Sequence, residues 1–68
     1  MTRYYVNKNA QTNGDHEVHR DDCSFLPSLD NRSYLGDFTS CQPAVTEAKR
    51  IYAAADGCAT CSPSCHTS

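Results

Sequence analysis

Five cysteines in a chain of 68 residues constrain this fold more than any other feature. A chain this short buries only a thin hydrophobic core, so domains of this size are often held together by disulfides, a metal ion or a partner. Because five is an odd number, internal disulfides cannot use every cysteine. How the sulfur atoms are used is therefore the central question for this chain.

Two of the cysteines, Cys58 and Cys61, form a Cys-x2-Cys step directly after Gly57. Glycine lets the backbone turn tightly, so both sulfur atoms of such a step can face one ion. The step supplies half of a tetrahedral zinc site, and the His-x3-Cys step of His19 and Cys23 is the best source of the other half. We therefore predict a structural zinc ion bound by these four residues, His19, Cys23, Cys58 and Cys61.

Two alternatives to this ligand set stay open on the sequence alone. In the first, Cys65 replaces His19 as the fourth ligand. In the second, no metal binds and the cysteines are reduced thiols or partial disulfides such as Cys58 with Cys61, since a Cys-x2-Cys step also serves redox chemistry. Cys41 stands apart at a predicted helix start, where a small buried side chain is favoured over a reactive thiol.

Composition and charge set expectations for the compartment and the partner. The chain opens Met1-Thr2-Arg3 without an apolar run, so no signal peptide is expected, and no stretch approaches the ~20 apolar residues of a membrane span. These features predict a cytoplasmic, reducing setting, where clustered Cys and His favour metal over disulfide. The net charge of −2 and the pI near 5.8 argue against nucleic-acid binding. We expect a protein partner and no membrane association.

Three segments have the composition of strands. Residues 3–8 are aromatic and β-branched, and residues 15–20 follow the turn signal Asn13-Gly14, so the two are predicted to pair antiparallel. Residues 32–36 read as a short third strand. By alternation, Tyr4, Val6 and Val18 are expected to face inward, with Glu17 and His19 on the opposite side of the second strand.

One helix is predicted between the third strand and the Cys-x2-Cys step. Thr39 with Gln42 three residues later fits a capping box. Apolar side chains recur at helical spacing and a run of alanines carries the helix to Asp56, with Gly57 as its stop. Before the third strand, the irregular segment 23–31 is expected to pack its apolar members onto the core, namely Phe25, Leu26 and Leu29.

Together these patterns predict a single α+β domain over residues 1–68. It would have a two- or three-stranded antiparallel sheet and one main helix around a zinc site. The site would join the end of the second strand to the segment after the helix. We expect an ordered core over about residues 3–61 and a mobile tail over residues 62–68, unless Cys65 is captured.

Four motifs and one helix follow one another in a specific order along the chain. They are Tyr5-Val6-Asn7-Lys8-Asn9, Val18-His19-Arg20-Asp21-Asp22-Cys23, Asn31-Arg32-Ser33-Tyr34-Leu35, an alanine-bearing helix and Cys58-Ala59-Thr60-Cys61. In this order they resemble the Ada-type zinc-binding domain, the metal-binding module of the bacterial methylphosphotriester-repair protein, over about residues 5–61. The resemblance implies a small sheet with helical cover around a four-coordinate zinc, with the donors at the positions proposed above.

The same resemblance exposes two departures. In the repair protein the first zinc donor is a cysteine whose thiolate accepts the methyl group, whereas this chain has His19, and a zinc-bound imidazole offers no comparable nucleophile. Ala59 and Thr60 stand where the family carries basic residues. We therefore predict a non-catalytic, zinc-stabilised binding module and not an enzyme. A thiol/disulfide redox or transient metal-handling role is the alternative, and DNA binding or DNA alkyl repair ranks last.

Overall fold

Four strands form one sheet in the computed structural model, which describes residues 1–67 of the chain. β1 pairs antiparallel with both β2 and β3, and β4 runs parallel to β2, which gives the order β3-β1-β2-β4. One helix, α1, packs on the sheet. The predicted small α+β fold is confirmed, with one strand more than expected. The bounds are β1 Thr2–Asn7, β2 His16–Arg20, β3 Arg32–Phe38, α1 Cys41–Lys49 and β4 Ala55–Gly57.

The core lies between α1 and one face of the sheet. Tyr4 and Val6 on β1 and Val18 on β2 are buried there, as their alternation predicted, and Val6 pairs directly with Val18. The helix buries Ala44 and Ala48 against them. Side chains this small let the helix approach the sheet closely, so the core is thin. None of the helices in the described part of the chain has the length and apolar character to cross a membrane.

The helix differs from the prediction at both ends. Its N-cap residue is Ser40 and not Thr39, and within residues 1–67 the Ser40 side chain makes no capping hydrogen bond. The helix ends at Lys49, well before the predicted Asp56, because the chain tightens into a turn in which Ile51 N and Tyr52 N both donate to Ala48 O.

Residues 55–57, which were predicted to end the helix, form β4 instead. Asp56 is paired with Glu17 and Gly57 with Val18, and Cys58 N donates to Val18 O at 3.0 Å. All three strand residues are buried. The alanine run has a high intrinsic helix propensity, but pairing with the open edge of β2 satisfies its backbone groups and overrides that local preference.

The segment between β2 and β3 packs more loosely than predicted. Phe25 is 64% exposed and Leu29 is 73% exposed, so the expectation that both lie against the core is wrong. Only Leu26 is half-buried. The segment is held by local hydrogen bonds, such as Asn31 Nδ2 to Ser28 Oγ at 2.7 Å, and these bonds fix its backbone without burying its apolar side chains.

After β4 the chain folds back against α1. A one-turn 3₁₀ helix spans Pro63–Cys65, and Cys65 forms a disulfide with Cys41 at the start of α1. Thr67 donates from both its backbone N and its Oγ1 to the carboxylate of Asp56. The capture of Cys65, which was the stated condition against a mobile tail, therefore occurs. Ser68, the last residue of the predicted tail, lies outside the described residues.

Candidate metal centre

The structure brings the four predicted donors to one point. The ligand atoms of His19, Cys23, Cys58 and Cys61 all lie within 4.8 Å of one another, and Cys23 Sγ is 3.9 Å from Cys58 Sγ. A tetrahedral zinc with Zn–S bonds of ~2.3 Å would hold two sulfur atoms about 3.8 Å apart. The spacing of these donors therefore matches a four-coordinate ion and is too long for a sulfur–sulfur bond.

The parallel pairing of β2 and β4 explains why residues so distant in sequence meet. Carboxyl ends of parallel strands lie at the same edge of a sheet. His19 is the penultimate residue of β2, and Cys58 follows β4 directly, one register step after the Gly57–Val18 pair. The strand that sequence analysis missed thus places the Cys-x2-Cys step beside the His-x3-Cys step.

Two tight turns supply the other two donors. After β2 the chain reverses so that Cys23 N donates to Arg20 O at 3.1 Å, and this turn returns the Cys23 side chain toward the strand end. After β4, Ser62 N donates to Cys58 O at 2.8 Å, which closes the loop that carries Cys61. Each pair of donors is therefore fixed by backbone hydrogen bonds and does not depend on long flexible side chains.

His19 has the environment of a metal ligand. It lies on the sheet face opposite the hydrophobic core, yet it is only 2% exposed. Burial lowers its pKa below the ordinary 6.5, against a smaller opposing effect of Glu17, so the imidazole is neutral as metal binding requires. Its Nδ1 atom is buried and has no hydrogen-bond partner among the described residues, which is rare for a buried nitrogen and is expected where a ligand belongs.

The sulfur atoms lie in a setting that stabilises negative charge only in part. Arg20 N donates to Cys61 Sγ at 3.3 Å, an interaction that favours the thiolate. Burial raises the pKa of Cys23 to about 12, and a backbone hydrogen bond from Phe25 opposes this shift. Without a cation, Cys23 therefore keeps its proton at neutral pH. A metal ion would supply the positive charge that this cluster lacks.

The structure also tests the alternative hypotheses for the cysteines. Cys65 is not available to replace His19, because it is bonded to Cys41; that alternative ligand is wrong. Cys58 and Cys61 carry free thiols and form no disulfide with each other. Cys41 is buried as expected, but as half of a disulfide and not as a free thiol. The connectivity of this bond has no signal in the sequence, since spacing alone does not define disulfide pairs.

Glu17 is the further site residue that the sequence did not single out. Its Oε1 atom lies 3.6 Å from His19 Nε2, the imidazole nitrogen that is not orphaned. The i, i+2 spacing on one strand was the available signal, because it places both side chains on one face. A carboxylate behind a ligating imidazole orients the ring and raises its basicity as a ligand.

Three sulfurs and one imidazole are thus placed to hold one metal ion with protein atoms in all four positions. A set with four protein donors leaves no open position for a substrate, whereas catalytic zinc sites keep one. Comparison of the chain with protein-family models, with curated proteins and with solved structures finds no match. The donor cluster, and not a relative, is therefore what indicates a function.

Proposed function

We propose that this protein is a non-catalytic module whose fold depends on a bound zinc ion and which presents its surface to a protein partner. The single observation that carries the proposal is the convergence of His19, Cys23, Cys58 and Cys61 with their ligand atoms within 4.8 Å of one another. A domain of 68 residues with a core built on small side chains needs such a tie.

The chemistry of the donor set favours zinc. Zinc takes Cys sulfur and His nitrogen in tetrahedral sites, and a Cys₃His set is one of its usual structural combinations. Three thiolates, one neutral imidazole and Zn²⁺ leave a net charge of about −1, which N–H donors near the sulfurs can offset. The backbone N–H of Arg20, which donates to Cys61 Sγ, is one such group. Bound zinc would supply folding free energy on the order of 10 kcal/mol.

Kinship with the Ada-type domain is part of the same proposal. It is supported by the meeting of the donors at the four positions that the resemblance assigns and by the α+β setting around them. DNA alkyl repair ranks last among the functions, because His19 occupies the place of the accepting thiolate and is only 2% exposed. A net charge of −2 likewise favours a protein partner over nucleic acid.

The cytoplasm remains our proposed compartment, on the basis of the clustered donors. In that compartment the Cys41–Cys65 bond would be a transient or redox-sensing one, because stable disulfides are rare in the cytosol. The same bond is the observation that favours thiol/disulfide chemistry as a second candidate function.

Metal analysis of the purified protein tests the proposal directly. We expect about one zinc per chain, and we expect a strong chelator to abolish the folded circular-dichroism signal in step with metal loss. Replacement of zinc by cobalt should give the visible absorption of a tetrahedral site with sulfur ligands. A chain that contains no metal and keeps its fold in the chelator would overturn the proposal and leave the redox candidate.

A further inference from the structure

The segment that carries two of the four donors is held at both of its ends. Before Cys58 it is fixed by β4, which pairs with β2. After Cys61 it runs into the 3₁₀ helix Pro63–Cys65, whose last residue is bonded to Cys41. The Cys-x2-Cys loop is therefore a short arch between a strand and a disulfide.

The disulfide end of this arch packs directly on the strand end. Gly57 lies so close to Cys65 that a Cβ atom at position 57 would be 2.6 Å from Cys65 Cβ. Gly57 immediately precedes the ligand Cys58 in the chain. A shift of Cys65 away from α1 would therefore remove the packing that holds the backbone just before Cys58, and it would also free the residues that follow Cys61.

Cavities border both residues of the buried disulfide. Cys41 lines a cavity of about 400 Å³ between the end of β2, the start of α1 and the arch, and this cavity also borders the ligand Cys61. Cys65 lines a second cavity of about 270 Å³ beside Thr67. The disulfide is thus covered by the fold without being sealed from solution, and the first cavity gives the arch room to move.

We propose that the Cys41–Cys65 disulfide is a redox-controlled latch that holds the metal in the centre. This inference rests on the proposed function, because it concerns the regulation of the same site. In the latched form the arch keeps Cys58 and Cys61 aimed at the ion. Reduction opens the latch, the arch loosens, and the metal leaves faster.

The chemistry of opening balances with a phosphine as the reductant. The phosphorus attacks one sulfur of the Cys41–Cys65 bond, which breaks, and the other sulfur leaves as a thiolate and is protonated by water. Hydroxide then adds to the phosphorus, and the second sulfur leaves as a thiolate. This thiolate takes up the remaining proton, so that the second thiol and one phosphine oxide form. The disulfide gains two electrons and two protons, and the phosphine loses the electrons and gains the oxygen of one water.

Once the bond is broken, the arch keeps only non-covalent ties among the described residues. They include the hydrogen bonds of Thr67 with Asp56, the contact of His66 Nδ1 with Gly57 O at 3.0 Å, and the hydrogen bonds from Ser62 N to Cys58 O and from Arg20 N to Cys61 Sγ. None of them replaces the covalent bond from Cys65 to Cys41, which anchors the segment to the first turn of α1. A disulfide limits the freedom of the unfolded chain as well as fixing the folded segment, so its loss should weaken metal retention by about tenfold or more.

The test measures zinc release to a chromophoric chelator from the full chain. Wild type with and without phosphine is compared with a Cys41→Ala/Cys65→Ala double variant, and intact mass reports the state of the bond. We expect release to be about tenfold faster from phosphine-treated wild type and from the untreated double variant. Phosphine should have no further effect on the double variant, which excludes direct extraction of zinc by the reagent.

A matched control keeps the bond and disturbs its surroundings. Ser64→Ala removes the hydroxyl that lies 3.4 Å from Cys41 Sγ, so it should release zinc at the wild-type rate. Equal release rates from the oxidised and reduced wild type, or a purified chain in which mass shows no disulfide, would overturn the latch while leaving the zinc module intact. Absence of zinc from every form would overturn both.

Discussion

Glu17 and His19 share one face of β2, and the carboxylate Oε1 of Glu17 lies 3.6 Å from Nε2 of the buried imidazole. The other nitrogen, Nδ1, is the one without a partner among residues 1–67. A carboxylate at Nε2 favours the tautomer with its proton there and leaves the lone pair on Nδ1. We infer that Nδ1 is the ligating atom and that Glu17 orients the ring.

Replacement of Glu17 by Ala is therefore expected to weaken metal binding without unfolding the holoprotein. Loss of a carboxylate behind a ligating His typically reduces metal affinity by about 10–100-fold, and we expect a value in this range. Competition with a chelator of known affinity measures it. Glu47→Ala is the matched control, because Glu47 pairs only with Arg50 on the exposed side of α1 in the described structure. Equal metal affinities for the two variants would show that Glu17 does not contribute to metal binding.

Replacement of Cys58 by Ser should cost the protein both its metal and its fold. Cys58 is 3% exposed and its sulfur lies within 4.8 Å of the other three ligand atoms, so an uncharged hydroxyl there leaves a buried site with three donors. Far-UV circular dichroism and bound zinc should fall together.

The disulfide pair provides the comparison for this variant. Cys41→Ala/Cys65→Ala should lose about 2–4 kcal/mol of stability, a typical value for one disulfide, and still bind zinc when the metal is in excess. A Cys58→Ser protein that stays folded and holds one zinc per chain would show that Cys58 is not a ligand.

Local signals predicted the parts of the structure that depend on local chemistry. The alternation of Tyr4 and Val6 predicted the inner face of β1, and the His-x3-Cys and Cys-x2-Cys steps predicted the donors that now lie together. These patterns can be recognised in a sequence because the side chains of a strand alternate between its two faces, and because paired zinc ligands have a short, regular spacing along the chain. They need no knowledge of distant contacts.

The parts of the structure that were not predicted from the sequence depend on contacts between residues distant in the chain. Ala55 and its neighbours have the composition of a helix, and only the open edge of β2 makes them a strand. The Cys41–Cys65 bond joins residues 24 positions apart, and no spacing rule selects it. Phe25 was assigned to the core because it is apolar, but it is 64% exposed and lines a cavity with His19 and Cys58 at the metal centre.

Metal affinity should decrease as the pH falls. Near neutral pH, the protons displaced from the thiols should set the slope of logarithmic affinity against pH. Burial raises the pKa of Cys23 to about 12, so an incoming ion must displace its proton throughout the neutral range. Burial lowers the pKa of His19 below 6.5, so the imidazole competes as a proton acceptor only in more acidic solution. Logarithmic affinity should therefore rise with pH above 6.5 without a contribution from His19.

A His19→Cys variant makes this expectation specific. A fourth thiol adds one more proton to displace, so the slope of logarithmic affinity against pH between about 6.5 and 8 should steepen by about one. Chelator competition at a series of pH values measures the slope, and proton release into weak buffer checks it. If wild type and His19→Cys gave the same slope, His19 would not be among the ligands.

Gly57→Ala tests the packing that links the metal centre to the disulfide. The new Cβ would meet Cys65 Cβ at 2.6 Å and the backbone oxygen of Ser62 at 2.9 Å, distances at which the backbone must move. Overpacking of this kind typically costs about 1–3 kcal/mol. We expect a loss of stability in that range, measured by urea unfolding of the oxidised holoprotein, together with faster zinc release. Wild type is the reference for both measurements. A Gly57→Ala protein as stable as wild type would mean that Cys65 does not rest on the strand end, and the coupling between latch and metal would lose its structural path.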